Sequence, residues 1–191
     1  PEYSGHRTIR IQEFDVKTDK TIGPRKILVN KGAQPADKPI WIEGPHLYKI
    51  NGKYFLMSAE GGTGNWHSEV IFRGDSPMGK FLPWKNNPIL TQRHLNSDRP
   101  NSVTCAGHAD LIQTKEGDWW AVFLACRPIN HQFEHLGRET FMMPVKWSED
   151  GFPYMTQGDD LVPMIVKREG AKRDTTVTYG NFELVENFDS P

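Results

Sequence analysis

The chain has 191 residues, a length that suits one domain or most of one. Its 23 Lys and Arg against 24 Asp and Glu leave a net charge of -1, which argues against a nucleic-acid partner or an anionic membrane surface. No apolar run approaches the roughly 18 residues of a membrane span, and two Cys exclude a disulfide framework or a four-Cys zinc site. Pro1 to Phe14 holds no apolar signal-peptide stretch, and the residues assign no compartment. The apolar stretches are short, rich in aromatic and β-branched residues, and separated by Gly, Pro, Asn and Asp. That pattern predicts strands at Thr8 to Phe14, Trp41 to Ile50, Tyr54 to Ala59, Glu69 to Gly74, Ala109 to Thr114, Trp119 to Arg127 and Glu139 to Trp147. Asn51-Gly52 predicts a two-residue hairpin, because both residues tolerate the positive φ of a type I′ turn. Lys115 to Asp118 closes a second hairpin. Most of the Trp and Tyr residues, Trp41, Tyr54, Trp119, Trp120 and Trp147 among them, are expected in the core by alternation. The chain reads as all-β.

A weak repeat runs through this pattern. The stretch from Glu43 to Leu56 can be laid over Ala106 to Val122, and the turn glycines Gly52 and Gly117 are offset by about 65 residues. Each copy is a strand, a tight turn, an aromatic-rich strand and a third strand. Such a unit buries its faces only by stacking on neighbours, as blades of a propeller do. Two units do not close a ring, so the chain is expected to be incomplete. Residues 1–166 are assigned to this partial propeller. Lys167 to Asp174 is expected to be a linker, and Asn181 to Asp189 a strand entering a further unit.

Five positions carry candidate chemistry. Glu43 lies between the apolar run Pro39 to Ile42 and Gly44-Pro45, where poor solvation would raise its pKa and suit it to act as a general acid; a solvent-facing strand end is the bland alternative. His108 opens the equivalent strand of the second copy, either as a pocket group or as a buried His satisfied by water. Glu60-Gly61-Gly62-Thr63-Gly64 lacks the Lys-Ser/Thr and the helix of a phosphate loop, and reads as a tight turn that brings Glu60 to a ligand. Arg138 offers a guanidinium fork for a hydroxyl pair or carboxylate, unless Glu139 or Asp110 takes it. Trp66, beside His67 in the Gly-rich loop, is expected to be exposed and able to stack on a sugar. His131-Gln132-Phe133-Glu134-His135 matches the inverted zinc-peptidase motif, but Pro128, Gly137 and the flanking strands deny it a helix. A polar loop is expected there.

Ile42 to Lys49, Glu60 to Gly64, Gly107 to Asp110 and Leu136 to Thr140, in that order, resemble glycoside hydrolase family 43, and most closely its β-xylosidase and α-L-arabinofuranosidase branch. The resemblance covers essentially the whole chain. It implies a five-bladed β-propeller, of which this chain would supply about the last three blades, followed by the start of a C-terminal β-sandwich in 167–191. It implies hydrolysis of pentose-containing hemicellulose oligosaccharides with inversion, using a base Asp, a pKa-tuning Asp and an acid Glu. Glu43 matches the acid and Arg138 the substrate-binding Arg. His108 matches a His near the axis that in some relatives orders water or a cation such as calcium; no cofactor is otherwise required. Glu60, Trp66 and His67 fall in a pocket-lining loop. No position matches either Asp, so the base is expected in an absent N-terminal part of the same propeller. The alternative is a non-catalytic carbohydrate-binding propeller.

Overall fold

The computed structural model describes residues 1–130, 133–168 and 170, and among these the chain is all-β apart from one 3₁₀ turn at Pro35–Asp37. β1 (Thr8–Asp15) and β2 (Lys20–Asn30) form a two-stranded sheet. β3 (Glu43–Ile50), β4 (Lys53–Glu60), β5 (Ser68–Gly74) and β6 (Leu82–Pro83) follow in antiparallel order, with the short β7 (Leu90–Thr91) on the far end of β5. β8 (Thr104–Gln113), β9 (Trp119–Cys126) and β10 (Glu139–Pro144) make the next sheet, and β11 (Lys146–Trp147) pairs with β12 (Pro153–Tyr154).

The predicted repeat is visible as β3-β4-β5 and β8-β9-β10. Asn51 and Gly52 both take positive φ in the β3–β4 turn. The second hairpin closes through Thr114 N–H to Asp118 O at 2.8 Å. β4 and β5 are buried almost throughout rather than alternately, because their sheet is covered on both faces. Phe55, Met57 and Ile71 enter one core with Leu111, Phe123 and Met143 of the second sheet. Leu56, Val70 and Phe72 enter another core with Ile9 and Val29 of β1 and β2. The two clusters are the two sides of one sheet.

Several expectations change. β2 was not predicted: Lys20 to Asn30 is polar, carries Pro24, and lies exposed at the edge of its sheet, where a missing N–H costs little. β8 begins at Thr104, five residues before the predicted start, because two register shifts hide its alternation. The predicted Glu139 to Trp147 strand breaks at Val145, whose N–H turns to Trp119 O at 2.9 Å. Trp41 and Trp147 are exposed at the surface instead of packed in the core. Val162 is buried and Val166 packs on the core, so the described chain stays with the sheets up to the expected boundary. Beyond it only Lys167, Arg168 and Gly170 of the expected linker are described, and the expected sandwich strand lies outside the described residues.

Candidate active site

β3 and β8 belong to different sheets and are linked through side chains. Tyr48 Oη donates to Asp110 and accepts the Leu111 N–H at 2.9 Å, joining the two strands in mid-course. At the start of β3, Gly44 lies directly against the ring of His108 in β8, where a Cβ would collide with Nε2. Gly44 also has φ +55, so both the backbone and the contact demand glycine. His108 itself has φ +55, a left-handed value rare for a residue with a Cβ. This bulged start of β8 turns the imidazole toward Glu43's strand.

Around that contact the predicted residues separate into two groups. Glu43 is half-buried, with 32% of its side chain exposed, and forms an ion pair with Arg7 from the segment before β1. The expected apolar seclusion is therefore not what surrounds it. His67 is buried beside His108, 1% exposed. Its Nδ1 lies 2.8 Å from Cys105 O, its ring is 6.4 Å from that of His108, and a Cβ on Gly107 would come within 2.8 Å of it. Burial holds His67 below the usual imidazole range; the charges of His108 and Arg138 act in the same direction, and that of Glu43 against it. Glu43, His67, His108 and Arg138 thus share one electrostatic neighbourhood. Arg138 is exposed, and among the described residues it forms no ion pair: Glu139 is taken by Arg127, and Asp110 by Tyr48 and His46.

Glu60 and Trp66 go elsewhere. They line a neighbouring cavity of about 450 Å³ with Asp37, Lys38 and Arg93. Trp66 is 70% exposed, as expected, while Glu60 is buried and accepts the Ala33 N–H at 3.0 Å. Burial raises the Glu60 pKa against that hydrogen bond.

Sequence reasoning missed Glu69, the most deeply buried carboxyl of the site. It is 0% exposed, its Oε2 accepts the Ala109 N–H at 2.9 Å, and its Oε1 has no partner among the described residues. The available signal was an acidic residue directly before the apolar run Val70 to Phe72. Desolvation pushes its pKa well above the ordinary 4.5, the N–H groups of Ala109 and His108 opposing. Between those two pKa values the folded chain binds more protons than the unfolded chain. Stability from this group is therefore full below the unfolded value and is lost as pH rises toward the folded one, by up to about 1.4 kcal/mol per pH unit. Glu69→Gln is uncharged throughout and should remove that slope. Its melting temperature should gain on the wild type steadily as pH rises from 4.5. Parallel melting curves against pH in the two proteins would mean that Glu69 is ionised in the folded state.

The zinc-peptidase pattern does not form. Ile129 and Phe133 bridge to each other at 2.8 and 3.0 Å in a loop, Glu134 accepts from Thr104 Oγ1 at 2.8 Å, and His131 lies outside the described residues.

A sequence profile for glycosyl hydrolases family 43 matches residues 1–153. The chain belongs to glycosyl hydrolases family 43. It is 53% identical over 111 residues to a non-reducing end α-L-arabinofuranosidase of Bacteroides ovatus, covering 58% of this chain and 20% of that protein. A xylosidase/arabinosidase of Butyrivibrio fibrisolvens is 42% identical over 156 residues, 82% of this chain and 29% of the relative. Among solved structures, a GH43_12 protein from a capybara gut metagenome superposes with TM-score 0.78 at 46% identity, over 92% of this chain and 32% of that one. The xylan β-1,4-xylosidase of Bacillus halodurans gives 0.72 at 31% identity, over 86% and 31%. These family-43 neighbours are β-propellers. The family-43 chain described above spans about a fifth to a third of the length of the relatives it matches.

Proposed function

We propose that the protein is a glycoside hydrolase that cleaves β-xylosidic or α-L-arabinofuranosidic bonds of hemicellulose with inversion, and that this chain carries its acid side. The observation that supports this most directly is that the charges of Glu43, His108 and Arg138 all reach the buried His67, with the His108 ring packed against Gly44 beside Glu43. Glu43 protonates the departing glycosidic oxygen. Arg138 holds sugar hydroxyls, and His108 fixes the floor of the pocket or a water or cation beneath it. Arg7 occupies the Glu43 carboxylate, so a sugar reaching Glu43 has to displace that guanidinium. Arg7 is 49% exposed, and an incoming sugar that takes its place would leave the carboxyl less solvated.

The base Asp and the tuning Asp belong to blades outside these residues, within a five-bladed ring of which residues 1–166 form about the last three. Inversion requires the base about 6.5–9.5 Å from Glu43, with the attacking water between them. Trp66 and Glu60, in the adjoining cavity, meet the sugar beyond the bond that is cut. The second reading, a carbohydrate-binding propeller without turnover, draws on the Arg7–Glu43 pair, which keeps the carboxylate engaged with the protein.

Proton NMR during hydrolysis of a β-xyloside by the intact gene product tests the proposal. The α-anomer of xylose should appear first and then mutarotate. First appearance of the β-anomer would overturn inversion, and binding of xylo-oligosaccharide with no product from either a xyloside or an arabinofuranoside would favour the second reading.

A further inference from the structure

Away from the sugar-facing groups, two thiols and a carboxylate come together from three segments. Cys105 is at the start of β8, Cys126 at the end of β9, and Glu134 in the loop between β9 and β10. Both cysteines are free and buried, while Glu134 lies at the surface. One ligand atom from each lies within 4.8 Å of the other two, and Cys105 Sγ is 3.7 Å from Glu134 Oε1. Asn65 Oδ1, from the loop between β4 and β5, approaches Cys105 Sγ at 3.7 Å from another side. Cys105 reaches this position with φ +56, a strained value for a residue with a side chain, next to a register shift in the strand. Thiolates bind zinc at about 2.3 Å and carboxylates at about 2.0–2.2 Å, which places tetrahedral ligand atoms about 3.3–3.8 Å apart. The observed spacing needs only a small contraction to match.

We infer that Cys105, Cys126 and Glu134 form a site for a thiophilic divalent cation of the zinc class, with the fourth position open to Asn65 or water. A mixed sulfur–oxygen set of this kind selects zinc or cobalt over calcium or magnesium, whose ligands are oxygens alone. Two thiols give up their protons to the solvent as the two metal–sulfur bonds form, so no oxidant is involved. The Glu134 main chain holds the Gly137 N–H at 2.7 Å, directly before Arg138. An ion that grips Glu134 would therefore fasten the loop carrying Arg138 to β8 and β9.

The test uses the intact protein, stripped with chelator and kept reduced, and titrated with Co²⁺ and then with Zn²⁺. One equivalent of cobalt should bind with a thiolate-to-cobalt charge-transfer band, and zinc should displace it. Cys105→Ser and Cys126→Ser should each weaken or abolish the band. Glu134→Gln, at an exposed position that tolerates the change, should keep the fold and lower the affinity by about tenfold or more, as loss of one ligand does. Absence of the band in the reduced protein overturns the inference. So does a band that persists in both serine variants, or unchanged affinity in Glu134→Gln.

Discussion

Glu43→Gln should lower kcat about 10²–10⁴-fold on a xyloside whose leaving group is another sugar, the range that general acid assistance supplies. In barrier terms that is about 2.7–5.4 kcal/mol, at about 1.36 kcal/mol for each tenfold step. The reason is specific to the step. A sugar alkoxide is a poor leaving group unless it receives a proton as the bond breaks, and the amide of Gln has none to give. An activated aryl leaving group departs without help, so the same variant should lose far less rate on an aryl xyloside. KM should move little, because Gln keeps the volume of Glu43 and a carbonyl that still accepts from Arg7. Steady-state kinetics on both substrates, in wild type and variant, measures the contrast. Equal losses on the two would remove Glu43 from the acid role and leave the charged, Arg7-paired carboxylate as a binding group.

Phe123→Ala should destabilise the protein by about 3–5 kcal/mol, the range for deleting a buried aromatic ring. Phe123 sits in the middle of β9, 2% exposed, with its ring 5.8 Å from Phe141 in a stacked arrangement. It belongs to the cluster that joins the β3–β5 sheet to the β8–β10 sheet through Met57, Ile71 and Leu111. Truncation would leave a void between two sheets that cannot close on each other without breaking their hydrogen-bonded ladders. A domain stabilised by about 5–15 kcal/mol would lose much of its margin. Urea unfolding, compared with Phe123→Leu, measures the loss; the Leu variant keeps most of the volume and should cost well under half as much. A shift below about 1 kcal/mol for Phe123→Ala, outside the usual range for a cavity, would mean that the two sheets do not pack as described.

The strands that were legible in advance are those whose local chemistry speaks for itself. β4 and β5 are built on the apolar runs Tyr54 to Met57 and Val70 to Phe72, and Asn51-Gly52 has few alternatives to a tight hairpin. β2 was illegible because an exposed edge strand need not bury a face, and so shows no period of two. The start of β8 was illegible for the opposite reason: its bulges shift the inward-facing set twice within six residues of Thr104. In the site, Glu43 and His108 could be singled out because they occupy equivalent positions in the two copies of the repeated unit. Arg7 could not, since nothing near it in the chain signals that its partner lies 36 residues away. Glu134 was noticed for a motif it does not serve, and its actual neighbours, Thr104 and Cys105, belong to another strand.

The residues alone determine that this chain makes short strands, where most of them turn, and that Glu43, His108 and Arg138 fall within a family-43 pattern. Strand formation and turning are set by side-chain alternation, φ preference and the positions of Gly and Pro, all of which act over a few residues. Only the tertiary structure decides which side of β4 and β5 meets which neighbour, that His67 and Glu69 are buried, and that Glu60 and Trp66 open into a separate cavity. Those outcomes depend on how whole sheets stack. A period of two tells a side chain to turn inward or outward, but it does not say what will be waiting on the other side.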